Sequence, residues 1–128
     1  EGSDGYVTLA KMKKASLLIE NGDVAEGLKI YSDLEKNAVD QSFRDIATIL
    51  YVLNSMDIDD PVTLLMKIEN LEASKVWKSS ALEMKGFLFL KMKQKDKAKE
   101  IFSSILELPS SPSSLATRAK SMLEFLKE

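Results

Sequence analysis

The chain has 128 residues, 45% of them apolar and 30% charged, with a formal net charge of −2. That suits one soluble domain, able to bury roughly 65% of its unfolded surface, and the near-neutral balance gives no global attraction to nucleic acid. The sequence contains no Cys and no His, which excludes disulfides, thiolate nucleophiles, imidazole bases and the usual zinc ligands. Three prolines and five glycines are too few for a turn-rich β fold, and abundant Lys, Leu, Ala, Glu, Met and Ser favour helix. The apolar run at 47–53, interrupted by Thr48, falls far short of the ~20 residues that cross a bilayer.

Residues 1–5 are loop-like, with Ser3 or Asp4 available to cap a helix starting near Tyr6. Val7, Leu9, Met12, Ala15, Leu18 and Ile19 recur at helical period in this first helix. Gly22 suits the left-handed residue after its end, and Asp23 the next N-cap. Helix two, about 24–36, offers Val24, Leu28, Tyr31 and Leu34, and helix three, about 42–56, offers Phe43, Ile46, Ile49, Leu50 and Leu53. Asp60 followed by Pro61 starts helix four, since proline is preorganised for the first helical position; its apolar residues are Val62, Leu65, Met66, Ile68 and Leu71. Trp77 to Pro109 reads as two helices around a polar turn. A serine-rich turn at 110–114 then leads to a helix near 115–127 with Leu115, Ala119, Met122, Leu123 and Leu126.

Gly27, Val62 and Ala98 hold one place in successive second helices, 35 and 36 residues apart, and Ala15, Leu50 and Gly86 hold one place in the first helices. Such a period marks stacked helix pairs; the competing reading is a bundle with accidental spacing. Small Gly86 and Ala98 let two helices approach while Phe89 and Phe102 fill the space beside them. Leu50 and Val62 break the small-residue rule, so the middle pair is expected to pack more loosely. Gly86, Phe89, Ala98, Phe102 and Pro109 follow the tetratricopeptide order of small residue, aromatic, small residue, aromatic and proline. Leu82 and Lys85 depart from it, standing where Trp and Leu are preferred. The expected fold is all-α: tetratricopeptide-like hairpins stacked as a short right-handed superhelix of about seven helices. It forms a single domain over 1–128, with pairs at 6–36, 42–72 and 75–108 and a capping helix at 113–127.

Several short runs resemble one family. They are Gly5–Tyr6 ahead of Leu9–Ala10, Arg44–Asp45, the Trp77, Ser80, Ala81, Glu83, Gly86 series, and the 109–115 run leading to Arg118–Ala119 and Met122–Leu123. The family is the bacterial tetratricopeptide-like domain of the YfgM type, the ancillary subunit of the SecYEG translocon, in its alphaproteobacterial branch. The resemblance implies a membrane anchor outside this chain and a location on the periplasmic face of the inner membrane. Implied partners are translocon subunits, periplasmic chaperones or client segments. The chain would be the C-terminal part of a larger soluble domain, its first helix exposing an apolar flank toward an upstream repeat. The absence of Cys suits an oxidising compartment. Alternatives are a generic cytoplasmic tetratricopeptide adaptor and a structural module that self-associates as a homodimer through terminal helix faces.

Tetratricopeptide proteins receive peptides in a groove lined by the first helix of each pair. Carried over, the groove places are Met12, Ser16 and Ile19; Arg44, Ala47, Tyr51 and Asn54; and Ser80, Glu83, Phe87 and Lys91. Tyr51 and Phe87 are expected to form an aromatic ledge edged by Arg44 and Glu83, against the alternative that Phe87 belongs to the core. Trp77 is expected to pack on the preceding pair rather than to anchor a partner. No residue set points to an enzyme, a cofactor or a metal. Asp57, Asp59 and Asp60 lack the glycine and glutamate of a calcium loop and read as capping carboxylates. Ser79 or Ser80 beside Lys78 lacks the motifs of a serine–lysine dyad. Lys91, Lys93, Lys95, Lys97 and Lys99 read as a solvated turn without an aromatic platform; a weak contact with an anionic membrane surface is the minor alternative, ahead of nucleic acid.

Overall fold

A computed structural model describes residues 2–127. Among the described residues there are seven helices and no strand: α1 Gly2–Glu20, α2 Val24–Asn37, α3 Gln41–Ser55, α4 Pro61–Glu72, α5 Lys78–Lys91, α6 Lys95–Glu107 and α7 Ser113–Phe125. The fold is all-α, and within each part neighbouring helices pack on one another. The chain divides into two compact units, 1–58 with α1 to α3 and 59–128 with α4 to α7. The members of the expected pair at 42–72 therefore lie in different units.

Local chemistry explains most helix ends. After α1 the Gly22 N–H donates to Ile19 O (3.1 Å) and the Asp23 N–H to Leu18 O (2.8 Å), with Gly22 at φ +93. This is the Schellman closure expected of a glycine past a helix end. Asp23 stands at the N-cap of α2 but makes no side-chain capping bond. The Asp60 carboxylate does cap α4, accepting from the Thr63 N–H at 3.3 Å, with Pro61 in the first turn. Helix α1 begins at Gly2 rather than near Tyr6, so Asp4 lies inside it; the Ser3 side chain is outside the described residues.

In the first unit α2 packs against both α1 and α3. A Cβ on Gly27 would lie 2.8 Å from the Ala15 carbonyl oxygen and 2.6 Å from Ile19 Cγ1, so the missing side chain is what lets α1 and α2 meet backbone to side chain. Ala15, Leu28 and Tyr31 form the adjoining core, joined by Met12, Ile19, Leu50 and Tyr51. Leu34, Ala38 and Ala47 extend it, with Phe43 against them. The inward stripe of α1 is Thr8, Met12, Ala15 and Ile19, whereas Val7 and Leu9 are exposed. At 100° per residue they stand well away from the Ala15 line. Leu53 of α3 is likewise exposed, and Ala47, Thr48, Val52 and Ser55 are the buried set.

The second unit is built on Phe102. A Cβ on Gly86 would meet its ring at 2.7 Å, so glycine opens a flat seat on α5 for an aromatic of α6. The Phe87 ring closes on Phe102 edge-on, with centroids 5.3 Å apart and planes at 74°. Leu82, Ala98, Ile105, Ala119 and Leu126 complete this cluster, with Phe89 and Leu90 packed against it. Leu82 thus serves as core where the repeat signature prefers Trp. Helix α4 turns Leu64, Ile68 and Leu71 inward, and Val62 and Met66 outward. The Lys85 ammonium, 3.2 Å from Glu72, joins α4 to α5. The Ser111 hydroxyl donates to Ile105 O (2.8 Å) and shares a hydrogen bond with the Ser79 hydroxyl (3.0 Å), fastening the turn before α7, whose N-cap is Pro112.

Two expected outcomes follow from this packing. Gly27→Ala gains up to about 1 kcal/mol of helix propensity but overpacks a rigid carbonyl at roughly 1–3 kcal/mol, so its urea midpoint should fall. Gly5→Ala, with nothing within 4 Å of the added methyl, should raise the midpoint; two shifts of the same sign would contradict the close approach. Tyr31 is buried, and burial pushes its hydroxyl above the ordinary value. The folded state then holds the proton more tightly, so this stabilisation is present below about pH 10 and is lost as pH rises through the folded pKa. Comparing urea midpoints at about pH 8 and about pH 11, Tyr31→Phe should lose less stability than the unsubstituted chain.

Candidate binding surfaces

The expected groove residues separate into those used internally and those facing solvent. Met12 packs on both core clusters of the first unit, and Tyr51 leans on the Ala15–Leu28–Tyr31 cluster. Both pack on the core that α1 and α2 share. Arg44 donates to Ala38 O and Val39 O, and to Gln41 Oε1 at 2.8 Å, so its guanidinium ties down the α2–α3 loop. The Asn54 amide donates to Leu50 O at 2.8 Å. Ser16 is exposed, Ile19 packs on the first core and Ala47 is fully buried.

In the second unit Glu83 receives both arms of Arg118 from α7, at 2.7 and 3.0 Å. The carboxylate side chain is 17% exposed and the arginine 55%. The paired carboxylate raises the Arg118 guanidinium above its ordinary value. Phe87 belongs to the Phe102 cluster, while Ser80 is half-buried and Lys91 exposed. Tyr51 and Phe87, the two halves of the expected ledge, lie in different units. Arg118 is the residue that reading the groove places alone does not find. Its signal is an arginine one repeat length, 35 residues, beyond Glu83.

The other constellations are resolved locally. Ser79 is buried with its hydroxyl bonded to Ser111, and Trp77 is half-buried at the start of α5 with its backbone N–H donating to Ser74 Oγ at 3.2 Å. Among the described residues no group of acidic side chains is gathered for a metal ion. Neither is any described helix long and apolar enough to cross a membrane.

Three surfaces remain. On α1, Tyr6, Leu9 and Leu17 follow one stripe, exposed by 77%, 53% and 44%, on the side opposite Ala15. Val62, Leu65, Met66, Glu69 and Glu72 of α4 line, with Lys85 of α5, a shallow cleft of about 340 Å³. At one end of the second unit a cleft of about 650 Å³ is lined by Leu90, Lys93, Lys95, Glu124, Phe125 and Leu126. The Lys97 ammonium lies 5.7 Å from the Phe89 ring centre nearby. Phe125, 73% exposed, adds an exposed aromatic to the lysine-rich turn from α7. A scan against protein-family models and searches of curated proteins and of solved structures found no match for the chain.

The Glu83–Arg118 pair is bidentate but half open to water, so its coupling should be modest. A double-mutant cycle with Glu83→Gln and Arg118→Ala should return about 0.5–1 kcal/mol, shrinking at ~1 M salt. Zero coupling at low salt would show that α7 is held by apolar packing alone.

Proposed function

We propose that the chain is a non-enzymatic scaffold for protein–protein interaction. The observation that carries this reading is the outer flank of α1, where Tyr6, Leu9 and Leu17 expose large apolar side chains on one face around Lys13. Scattered exposed apolar residues are ordinary, whereas an aligned set suits the face of another helix. The polar groups of the expected groove support the same placement, because Arg44, Asn54 and Glu83 already bond within the chain. In the finer reading, which rests on the resemblance of the sequence, the scaffold is the periplasmic portion of a membrane-anchored protein. It would hold Sec translocon subunits and periplasmic chaperones near the membrane. Ser16 and Tyr51 in the first unit and, separately, Lys91 in the second are proposed as secondary contacts for partner segments.

The same flank favours one second reading, a homodimer formed through α1. The chain and its Tyr6→Glu, Leu9→Glu double variant separate these possibilities, since both positions are exposed and the substitutions should change stability by less than about 0.5 kcal/mol. Immobilised on beads, the chain should retain translocon subunits or periplasmic chaperones from detergent-solubilised bacterial membranes, and the double variant should lose them. Recovery of neither group would overturn the translocon reading. In sedimentation over a concentration series, a mass that rises for the chain and stays monomeric for the variant would establish the homodimer instead.

A further inference from the structure

The lysine-rich turn and the exposed aromatic belong to one end face. Helices α5 and α7 finish where α6 begins, so Lys93 and Lys95 stand across the cleft from Glu124, Phe125 and Leu126. Leu90 and Leu126 give it an apolar floor: Leu126 is 5% exposed and part of the core, and Leu90 packs on that core. Phe125, at the rim, points outward. The acid at this rim is offset, since Glu124 lies 3.1 Å from the Lys127 ammonium. Lys91 and Lys97 flank the same turn in sequence, where Asp96 is the one acid among four lysines.

A second observation concerns Lys93 itself. Helix α5 ends in the same closure as α1: the Lys93 N–H donates to Leu90 O (2.9 Å) and the Gln94 N–H to Phe89 O (2.9 Å). The residue after the helix end is Gly22 in the first case and Lys93, at φ +60, in the second. That conformation is free for glycine and disfavours a side chain. The two turns are equivalent in the repeat, yet this one carries a cation where the backbone favours glycine. What Lys93 adds is charge at the mouth of the cleft.

We infer that this end face docks on an anionic bilayer surface, with Lys93, Lys95 and Lys97 in the headgroup layer and Phe125 entering the interface. Charge complementarity carries the choice of occupant. The whole chain is net negative, so attraction to an anionic plane must come from a local patch, and this tip is one. Its charges sit on flexible stems around a tip, which suits the field of many headgroups better than a fixed fork for one carboxylate. An exposed phenylalanine beside lysines is the side-chain pairing that interfacial binding uses. Each lysine near such a surface strengthens partitioning roughly fivefold.

Co-sedimentation of the full chain with vesicles tests this. It should bind vesicles of phosphatidylcholine with about 30% phosphatidylglycerol, fail to bind phosphatidylcholine alone, and weaken as salt rises from about 50 to about 500 mM. Lys93→Gly should weaken partitioning about fivefold while raising the urea midpoint, a combination that a merely structural lysine would not give. Phe125→Ala should weaken it several-fold with stability unchanged. Phe125→Trp in a Trp77→Phe background should shift its emission to the blue on the anionic vesicles. The inference is overturned if anionic vesicles are not bound, or if Lys93→Gly and Phe125→Ala bind as well as the parent. Saturable binding of a glutamate- and leucine-rich peptide without vesicle binding would make the face a peptide site instead. Tyr6→Glu and Leu9→Glu should leave vesicle binding intact, so the scaffold reading and this one can fail separately.

Discussion

Two missing side chains set the spacing of this structure. At Gly27 the absence of a Cβ lets α2 come down on the Ala15 carbonyl, and at Gly86 it lets an aromatic ring lie against α5. Both are close approaches, but they use the room differently. The first brings helix to helix and leaves Leu28 and Tyr31 beside the contact. The second admits Phe102, one of the largest fully buried side chains of the second unit. With that ring seated, Phe87 can meet it edge-on and α7 can close over it with Ala119 and Leu126. The Glu83–Arg118 pair and the end cleft both depend on where that closure puts α7.

Polar groups near the cores are satisfied locally rather than left for a ligand. Among the described residues no buried side-chain nitrogen or oxygen lacks a hydrogen bond. The hydroxyls of Thr8, Thr48 and Ser55 donate to the carbonyl one turn back, a habit of Ser and Thr within helices. Ser111 does the same work for a loop by bonding the end of α6 and the start of α5 at once. Surface character is therefore set by apolar residues that find no partner helix, such as Tyr6 and Met66, and by lysines at a turn.

Much of the fold was legible because its signals are local. Gly22 and Asp60 with Pro61 each state a rule whose parts lie within one turn of helix, and the Gly86–Ala98–Phe102 spacing spans only one helical hairpin. The rotation of each helix was less legible: Leu9 and Leu53 fit an apolar period yet face outward, because Ala15 and Ala47 offer the closer contact to α2. The groove places were the hardest to judge. Whether Arg44 or Glu83 stays open depends on the partner that a neighbouring helix supplies, here a loop carbonyl and Arg118. The same holds for the end cleft, where Phe125 reaches the lysine turn only through the path of α7. The boundary between units at Ile58 and Asp59 gives no composition break, since the turn there resembles the others.

The Glu83–Arg118 clasp also bears on how the second unit assembles. Its helices otherwise meet mainly their neighbours in sequence, which is the low contact order of fast-folding helical proteins. The clasp spans 35 residues, a long loop for a unit built from neighbouring helices. Contacts within the α5–α6 hairpin close shorter loops than the clasp does, so they cost somewhat less chain entropy. The end face, which draws on all three helices, is complete only when α7 is docked.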